Sequence, residues 1–275
     1  MCYFCKSAKH FWKIIRLLFP ALILLYGNLL AQPLKVVTTI DPPLVYYDDK
    51  GKLTGATIEL VREVASRLNR EILITLVPWK RALHLVKIGK SEAICCAGIN
   101  EERLEYLYFP GINITSEENV FFIKKGRVIK IDADFKGISE IRIGVMLGYL
   151  YGQLQSAIDD NQFKSVQRVP TIEQNIKLLV AERTDIFIGN KIVVLHLLKK
   201  MKLYDKVDIL KKPETDEDWT ITDWPVHLAF SKKVLKDPSY METVSQIIKE
   251  IKEDGTYRRI LSKYNSAKTG THRFC

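Results

Sequence analysis

Cysteine is scarce in this 275-residue chain: it occurs five times, and two of those, Cys2 and Cys5, fall at the extreme amino end. Such sparse use excludes a disulfide-stapled scaffold. The remaining three, Cys95, Cys96 and Cys275, show no metal-ligand spacing and have no histidine nearby in the metal-binding register, so neither a structural zinc nor any other cofactor is expected. Cys95 and Cys96 lie in the apolar run Ala93-Ile94-Cys95-Cys96, where thiols serve as small buried hydrophobes. Long apolar runs are missing beyond residue 31, so no membrane-spanning helix is expected there. Internal repeats and low-complexity tracts are also missing, as is the spacing of either glycine-rich nucleotide loop. The formal charge is +10, yet Lys and Arg are interspersed with acids rather than run together in long blocks. That pattern reads as a solubilising surface and excludes nucleic acid as a partner.

The first segment does carry information. Lys6, Lys9, Lys13 and Arg16 form a basic stretch free of acids that runs into the apolar residues Leu17 to Tyr26. This is the pattern of a secretory leader, and the apolar part falls short of the ~20 residues a membrane span needs. The expected cleavage follows Ala31. No cysteine follows it, which excludes a lipid anchor, and 38 Lys plus Arg then face 32 Asp plus Glu. The exported chain is expected to be soluble and monomeric, with a loose polar tail at 266–275.

Between these ends, strands and helices alternate. Leu34 to Thr39, Ile72 to Val77, Ala93 to Cys96, Ile141 to Val145 and Asp185 to Ile188 are short apolar runs bounded by polar or turn residues, as buried parallel strands are. Thr57 to Asn69 places Ile58, Val61, Ala65 and Leu68 on one helical face, and Arg81 to Ile88 continues with Ala82, Leu83 and Val86 before Gly89 stops it. Thr171 with Gln174 opens a helix faced by Ile172, Ile176, Leu179 and Val180. Asp237-Pro238 opens another, with Met241, Val244, Ile248 and Ile251, and a last short helix follows Gly255.

Several loops at strand ends could hold chemistry. Asp41-Pro42-Pro43 leaves the carboxyl end of the first strand, the edge where open α/β sheets bind ligands, with Tyr46 and Tyr47 close behind. Trp79 stands after Val77-Pro78 in a loop, where an indole is either core or a stacking platform. Asn100 is a good helix cap, and it sets Arg103 in the first turn, where a cation opposes the helix dipole. Arg103 either pairs with Glu101, Glu102 or Glu105 at the surface, or reaches a cleft as a carboxylate grip. The segment Gly144 to Tyr149 ends a strand with Gly148, a turn able to present backbone N–H groups to an anion.

Taken together, Pro42-Pro43, Gly51-Lys52-Leu53-Thr54-Gly55, Glu59-Leu60, Pro78-Trp79, Gly89 to Ile94, Asn100 to Arg103, Tyr108-Phe109, Gly144-Val145 with Gly148, Glu182 to Asp185 and Asp254 to Tyr257 resemble the family 3 extracellular solute-binding proteins of the polar amino-acid type, from about Leu34 to Tyr264. The resemblance implies an α/β, two-lobed periplasmic binding protein-like fold (type II), each lobe a mixed, mostly parallel sheet flanked by helices, joined by a two-strand hinge. It implies lobe 1 from 32–123 plus 225–265 and lobe 2 from 124–224. It further implies that Arg103 grips a ligand carboxylate with Gly98 and the amides of Tyr149 and Leu150, that Trp79 stacks on the ligand, and that Asp41 and Tyr46 line the same wall. The family's acid for the ligand's α-ammonium is replaced here by Asn190. Gly98 stands where a hydroxyl is common, and Tyr149 and Tyr151 stand where small polar residues are usual, so a narrower, more aromatic pocket is expected.

The function so implied is capture of a small carboxylate-bearing ligand in the Gram-negative periplasm for delivery to a membrane permease of an ABC transporter. Two alternatives share the scaffold. One is an enzyme acting on a cyclic carboxylic acid, for which Asp41 and Glu173 are the candidate proton-transfer groups. The other is a sensing subunit that reports ligand state to a signalling partner.

Overall fold

A computed structural model describes residues 32–132, 135–213 and 215–265. The expected leader and tail lie outside them. Among the described residues no helix is long and apolar enough to cross a membrane.

The chain begins with β1 (Leu34–Thr38), the small hairpin of β2 (Tyr46–Tyr47) and β3 (Leu53–Thr54), and α1 (Ala56–Arg67). There follow β4 (Ile72–Leu76), α2 (Trp79–Lys87), β5 (Ala93–Ala97), α3 (Glu101–Tyr106), β6 (Leu107–Tyr108) and β7 (Thr115–Lys124). The expected α1 stripe is buried at Ile58, Val61 and Ala65. The helix stops where Asn69 turns left-handed, with φ 52°, so that the amide of Arg70 donates back to the Ala65 carbonyl at 3.0 Å.

The second stretch runs through β8 (Arg142–Met146), α4 (Gln155–Asp159), β9 (Ser165–Val169), α5 (Ile172–Val180), β10 (Ile186–Asn190), α6 (Lys191–Lys200) and β11 (Val207–Ile209). The Thr171 hydroxyl caps α5 as its spacing predicts, accepting from the amide of Gln174. The chain then returns through β12 (Thr220–Ser231), α7 (Tyr240–Glu253) and α8 (Thr256–Asn265).

Apart from the β2/β3 hairpin these strands form one long sheet in the order β4-β1-β5-β12-β7-β10-β8-β9, with β11 beside β7 and β6 beside β12. Both ends are parallel: β1 pairs with β4 and β5, and β8 pairs with β9 and β10. The middle is antiparallel, where β7 and β12 run past each other from Thr115 opposite Val226 to Val120 opposite Thr220. Beyond that crossing β7 joins β10, while β12 joins β5 through Ala229 opposite Ile94.

The apolar core divides in the same way. Leu34, Val36, Val64, Phe230, Val244 and Ile248 pack in one half, and Phe121, Ile143, Leu154 and Ile186 in the other. Each half buries the inner face of its own parallel strands under its own helices, and two long strands carry the chain across.

Candidate functional site

A cleft of about 620 Å³, open mouth included, lies where the halves meet. Its walls come from the carboxyl ends of β1 and β5, the start of α2, the β7/β12 crossing and the loop after β8. Asp41, Trp79, Arg103, Glu117, Tyr149 and Trp224 face it.

Arg103 is held from its backbone outward. The Asn100 side chain caps α3 by accepting from the Arg103 amide at 2.9 Å, and the guanidinium folds back over the end of β5. There Nη1 donates to the Gly98 carbonyl at 2.8 Å and Nη2 to the Gly148 carbonyl, from the opposite wall, at 2.9 Å. The residue is only 4% exposed, and burial pushes its pKa down. Among the described residues it makes no ion pair, so the surface pairing with Glu101, Glu102 or Glu105 is replaced by contacts to backbone dipoles. A buried cation whose hydrogen bonds go to neutral carbonyls, with no carboxylate in direct contact, favours an anion in reach of its remaining N–H groups.

Trp79 differs from the loop residue expected: it is the first residue of α2, after Pro78, and is buried in a cluster with Val37, Ala82 and Ile94. Its indole N–H donates to the same Gly148 carbonyl at 3.0 Å. The ring lies 5.7 Å from the Arg103 guanidinium and meets Tyr149 edge-on at 5.8 Å. The segment around Gly148 also corrects the expectation of an anion nest of N–H groups. Gly148 has φ 82°, no regular helix starts there, and it is the carbonyl that points at Arg103.

Gly98 lines the cleft because Trp224 occupies the space beside it. A Cβ at position 98 would stand 2.1 Å from the Trp224 Nε1, which explains glycine where a hydroxyl was expected. That Nε1 is buried without a hydrogen-bond partner among the described residues. Tyr149 and Leu150 line the cleft, but the Tyr149 amide already donates to the Met146 carbonyl at 3.3 Å. Tyr151 does not narrow the pocket: its ring is packed in the core and its hydroxyl accepts from the Met146 amide at 2.6 Å.

Asp41 faces the cleft, with its backbone tied to Val45. Burial, then the carboxylates of Glu117 and Glu173, raise its pKa well above the usual range. Tyr46 is not brought to this wall; it pairs with Thr54 in the β2/β3 hairpin, and Leu44 and Val45 line the cleft instead. Asn190 is likewise not among the lining residues. Its side chain caps α6, accepting from the amides of Ile192 at 3.1 Å and Val193 at 3.4 Å.

The sequence reading missed Glu117, Trp224 and Cys96. Burial pushes the Glu117 carboxyl up to about 7, with Arg103 opposing the rise. Cys96 sits in the left-handed region, with φ 65°, and lines the cleft, while its sulfur lies 3.2 Å from that of Cys95 in the core. Among the described residues no cluster of His, Cys, Asp or Glu is placed to hold a metal ion.

Residues 34–267 match the model of the bacterial extracellular solute-binding proteins, family 3. The chain belongs to that family. Among its relatives, the L-cystine-binding protein TcyA of Bacillus subtilis (strain 168) is 25% identical over 223 residues, covering 81% of this chain and 76% of the relative. A probable histidine-binding protein of Campylobacter jejuni is 25% identical over 232 residues, 84% of each chain. The fold matches that of an ancestral arginine-binding protein bound to arginine, with a TM-score of 0.71 at 21% identity, over 86% of this chain and 99% of the other. In this family 3 solute-binding protein the expected two-lobed α/β architecture is therefore present, and the cleft lies between its halves.

Proposed function

We propose that this solute-binding protein captures a small ligand through its carboxylate, with Arg103 as the grip, Trp79 and Tyr149 as the aromatic wall, and Gly98 and Leu150 flanking the anion. The observation that carries this reading is the burial of the Arg103 guanidinium against two backbone carbonyls, with no carboxylate ion-paired to it among the described residues. An incoming carboxylate supplies that charge in a poorly hydrated place, where a charge-assisted bond is about twice as strong as a neutral one.

The two bodies that close are the lobes formed by 32–123 with 225–265 and by 124–224, hinged on the β7/β12 crossing. Ligand binding shifts an equilibrium between open and closed arrangements, because only the closed one brings Arg103 and the loop after β8 to the same ligand. The basic and apolar residues of 1–31 export the chain to the periplasm, where the closed monomer docks on an ABC permease. It acts as a binding protein rather than as a catalyst, as the names of its relatives suggest.

Native mass spectrometry of protein purified without denaturation tests this reading. A one-to-one complex with a carboxylate-bearing small molecule is expected. Ligand-free protein that no amino acid or organic acid stabilises in a thermal-shift screen contradicts it.

A further inference from the structure

Cys95 and Cys96, near the end of β5, are arranged as a regular strand does not allow. Side chains alternate along a strand, so neighbouring sulfurs belong on opposite faces. Here the two sulfurs lie 3.2 Å apart. The pairing with β12 shows why. Ile94 stands opposite Ala229 and Ala97 opposite His227, so Cys95 and Cys96 together face the single residue Leu228. This is a β-bulge, and Cys96 takes a left-handed position in it, with φ 65°, where glycine would fit without strain. A cysteine is held in such a conformation only where the surrounding structure imposes it, and strain of this kind gathers at functional sites.

The two thiols differ in access. Cys95 is buried in the core of its half, whereas Cys96 is partly exposed and lines the cleft. Neither takes part in holding Arg103, whose guanidinium bonds go to the carbonyls of Gly98 and Gly148. Among the described residues no third His, Cys, Asp or Glu joins them in a cluster able to hold a metal ion. What the cleft presents is a pair of touching thiols, one of them within reach of a small molecule.

We propose that Cys95 and Cys96 form a redox modification site, at which a disulfide-bearing oxidant entering the cleft converts the adjacent thiols reversibly into a disulfide within the chain. The proposal does not depend on the carboxylate reading. In the first exchange Cys96 loses its proton and its sulfur attacks one sulfur of the oxidant, forming a mixed disulfide and releasing a thiolate. Cys95 then loses its proton, and its sulfur attacks that of Cys96 and expels the second thiolate. The protein gives up two electrons and two protons, and the oxidant takes them up as two thiols.

The surroundings set the character of this site. The hydrogen bond with Cys95, then burial, raise the Cys96 thiol well above its usual value, which slows the first exchange. The second is favoured because the sulfurs are already in contact. Neighbouring Cα atoms stand about 3.8 Å apart, closer than the ~4.4–6.8 Å of an ordinary disulfide, so a bond between adjacent cysteines is strained and readily reduced. Such a bond is a reversible state rather than a structural staple. The export proposed above delivers the chain to a compartment where disulfides form.

Peptide mapping by mass spectrometry of the full chain tests the proposal, because the tryptic peptide Ser91–Arg103 contains both cysteines and no other. Folded protein is incubated with oxidised glutathione at about pH 8, where thiolates begin to form, then denatured and alkylated with iodoacetamide. The peptide is expected to lose two hydrogens and resist alkylation, in wild type and Cys275→Ser alike. Dithiothreitol in native buffer is expected to restore both thiols. In reduced protein, phenylarsine oxide is expected to bridge the same two sulfurs with loss of water, and Cys96→Ser to abolish that adduct. In a glutathione redox buffer the disulfide is expected to be about tenfold more populated in the folded chain than in urea, since the bulge assembles the sulfurs. Two free, alkylated thiols, a lasting glutathione adduct on Cys96, or a bond to Cys275 overturns the proposal. So does an equal disulfide population in urea.

Discussion

Arg103 and Trp79 donate to a single oxygen, the Gly148 carbonyl, at 2.9 and 3.0 Å. The two donors come from the first half of the sheet and the acceptor from the loop after β8 in the second. The shared carbonyl therefore ties the walls of the cleft together at the point where the ligand carboxylate is proposed to sit. Trp79→Phe keeps an aromatic ring but removes one of the donors. A neutral hydrogen bond is worth about 1 kcal/mol, so ligand affinity is expected to fall about 5-fold in calorimetry, and the thermal midpoint to fall as well because a buried ring also shrinks.

Gly98 and Trp224 fill one volume between them. In Gly98→Ser the new Cβ meets the indole, with the nearest atoms at 2.1 and 2.8 Å. Overpacking of this kind costs about 1–3 kcal/mol. Loss of thermal stability and weaker ligand binding are expected together, and Trp224→Leu in the same chain is expected to recover part of both. A double-mutant cycle with no coupling between the two positions would remove this explanation for the glycine.

Asn190 separates capping from recognition. Asn190→Ala leaves the amides of Ile192 and Val193 without their acceptor and is expected to cost about 1 kcal/mol in urea denaturation. Asn190→Asp keeps the cap and the stability. Ligand affinity is expected to be unchanged in the alanine variant, and a large loss there would return the residue to the ligand.

Acid stability is tied to Asp185. Its carboxylate accepts from the Arg142 backbone amide and Nε at 2.9 Å and from Nη2 at 2.7 Å, and these bonds hold its pKa below the usual value. A depressed carboxyl pKa stabilises the fold fully above the unfolded value of about 3.9 and progressively less as the pH falls through the folded value. The stability gap between wild type and Arg142→Ala is therefore expected to be present at pH 7 and to shrink below about pH 4, as urea unfolding at each pH would show.

Much of this molecule was legible because its local signals agree with its topology. The stripe Ile58, Val61, Ala65, the Thr171 cap and the apolar run of β5 each specify an element within a residue or two. Arg103 was legible as a candidate through the Asn100 cap, although its burial was not. Glu117 escaped because Ser116-Glu117-Glu118-Asn119 looks like a solvated face. Only the pairing of β7 with β12, a contact between residues about a hundred positions apart, turns it into the cleft. Tyr46, which the structure keeps in the β2/β3 hairpin and off the cleft wall, escaped for a related reason. An aromatic near a strand end joins the ligand wall, a hairpin or the core according to neighbours that sequence spacing does not specify.

The most direct measurement is calorimetric titration of a carboxylate ligand into wild type and Arg103→Met, with circular dichroism showing that both are folded. Truncating a buried, hydrogen-bonded charge that pairs with a ligand is expected to weaken binding about 100-fold or more. Equal affinity in the two proteins would mean that this guanidinium does not hold the ligand.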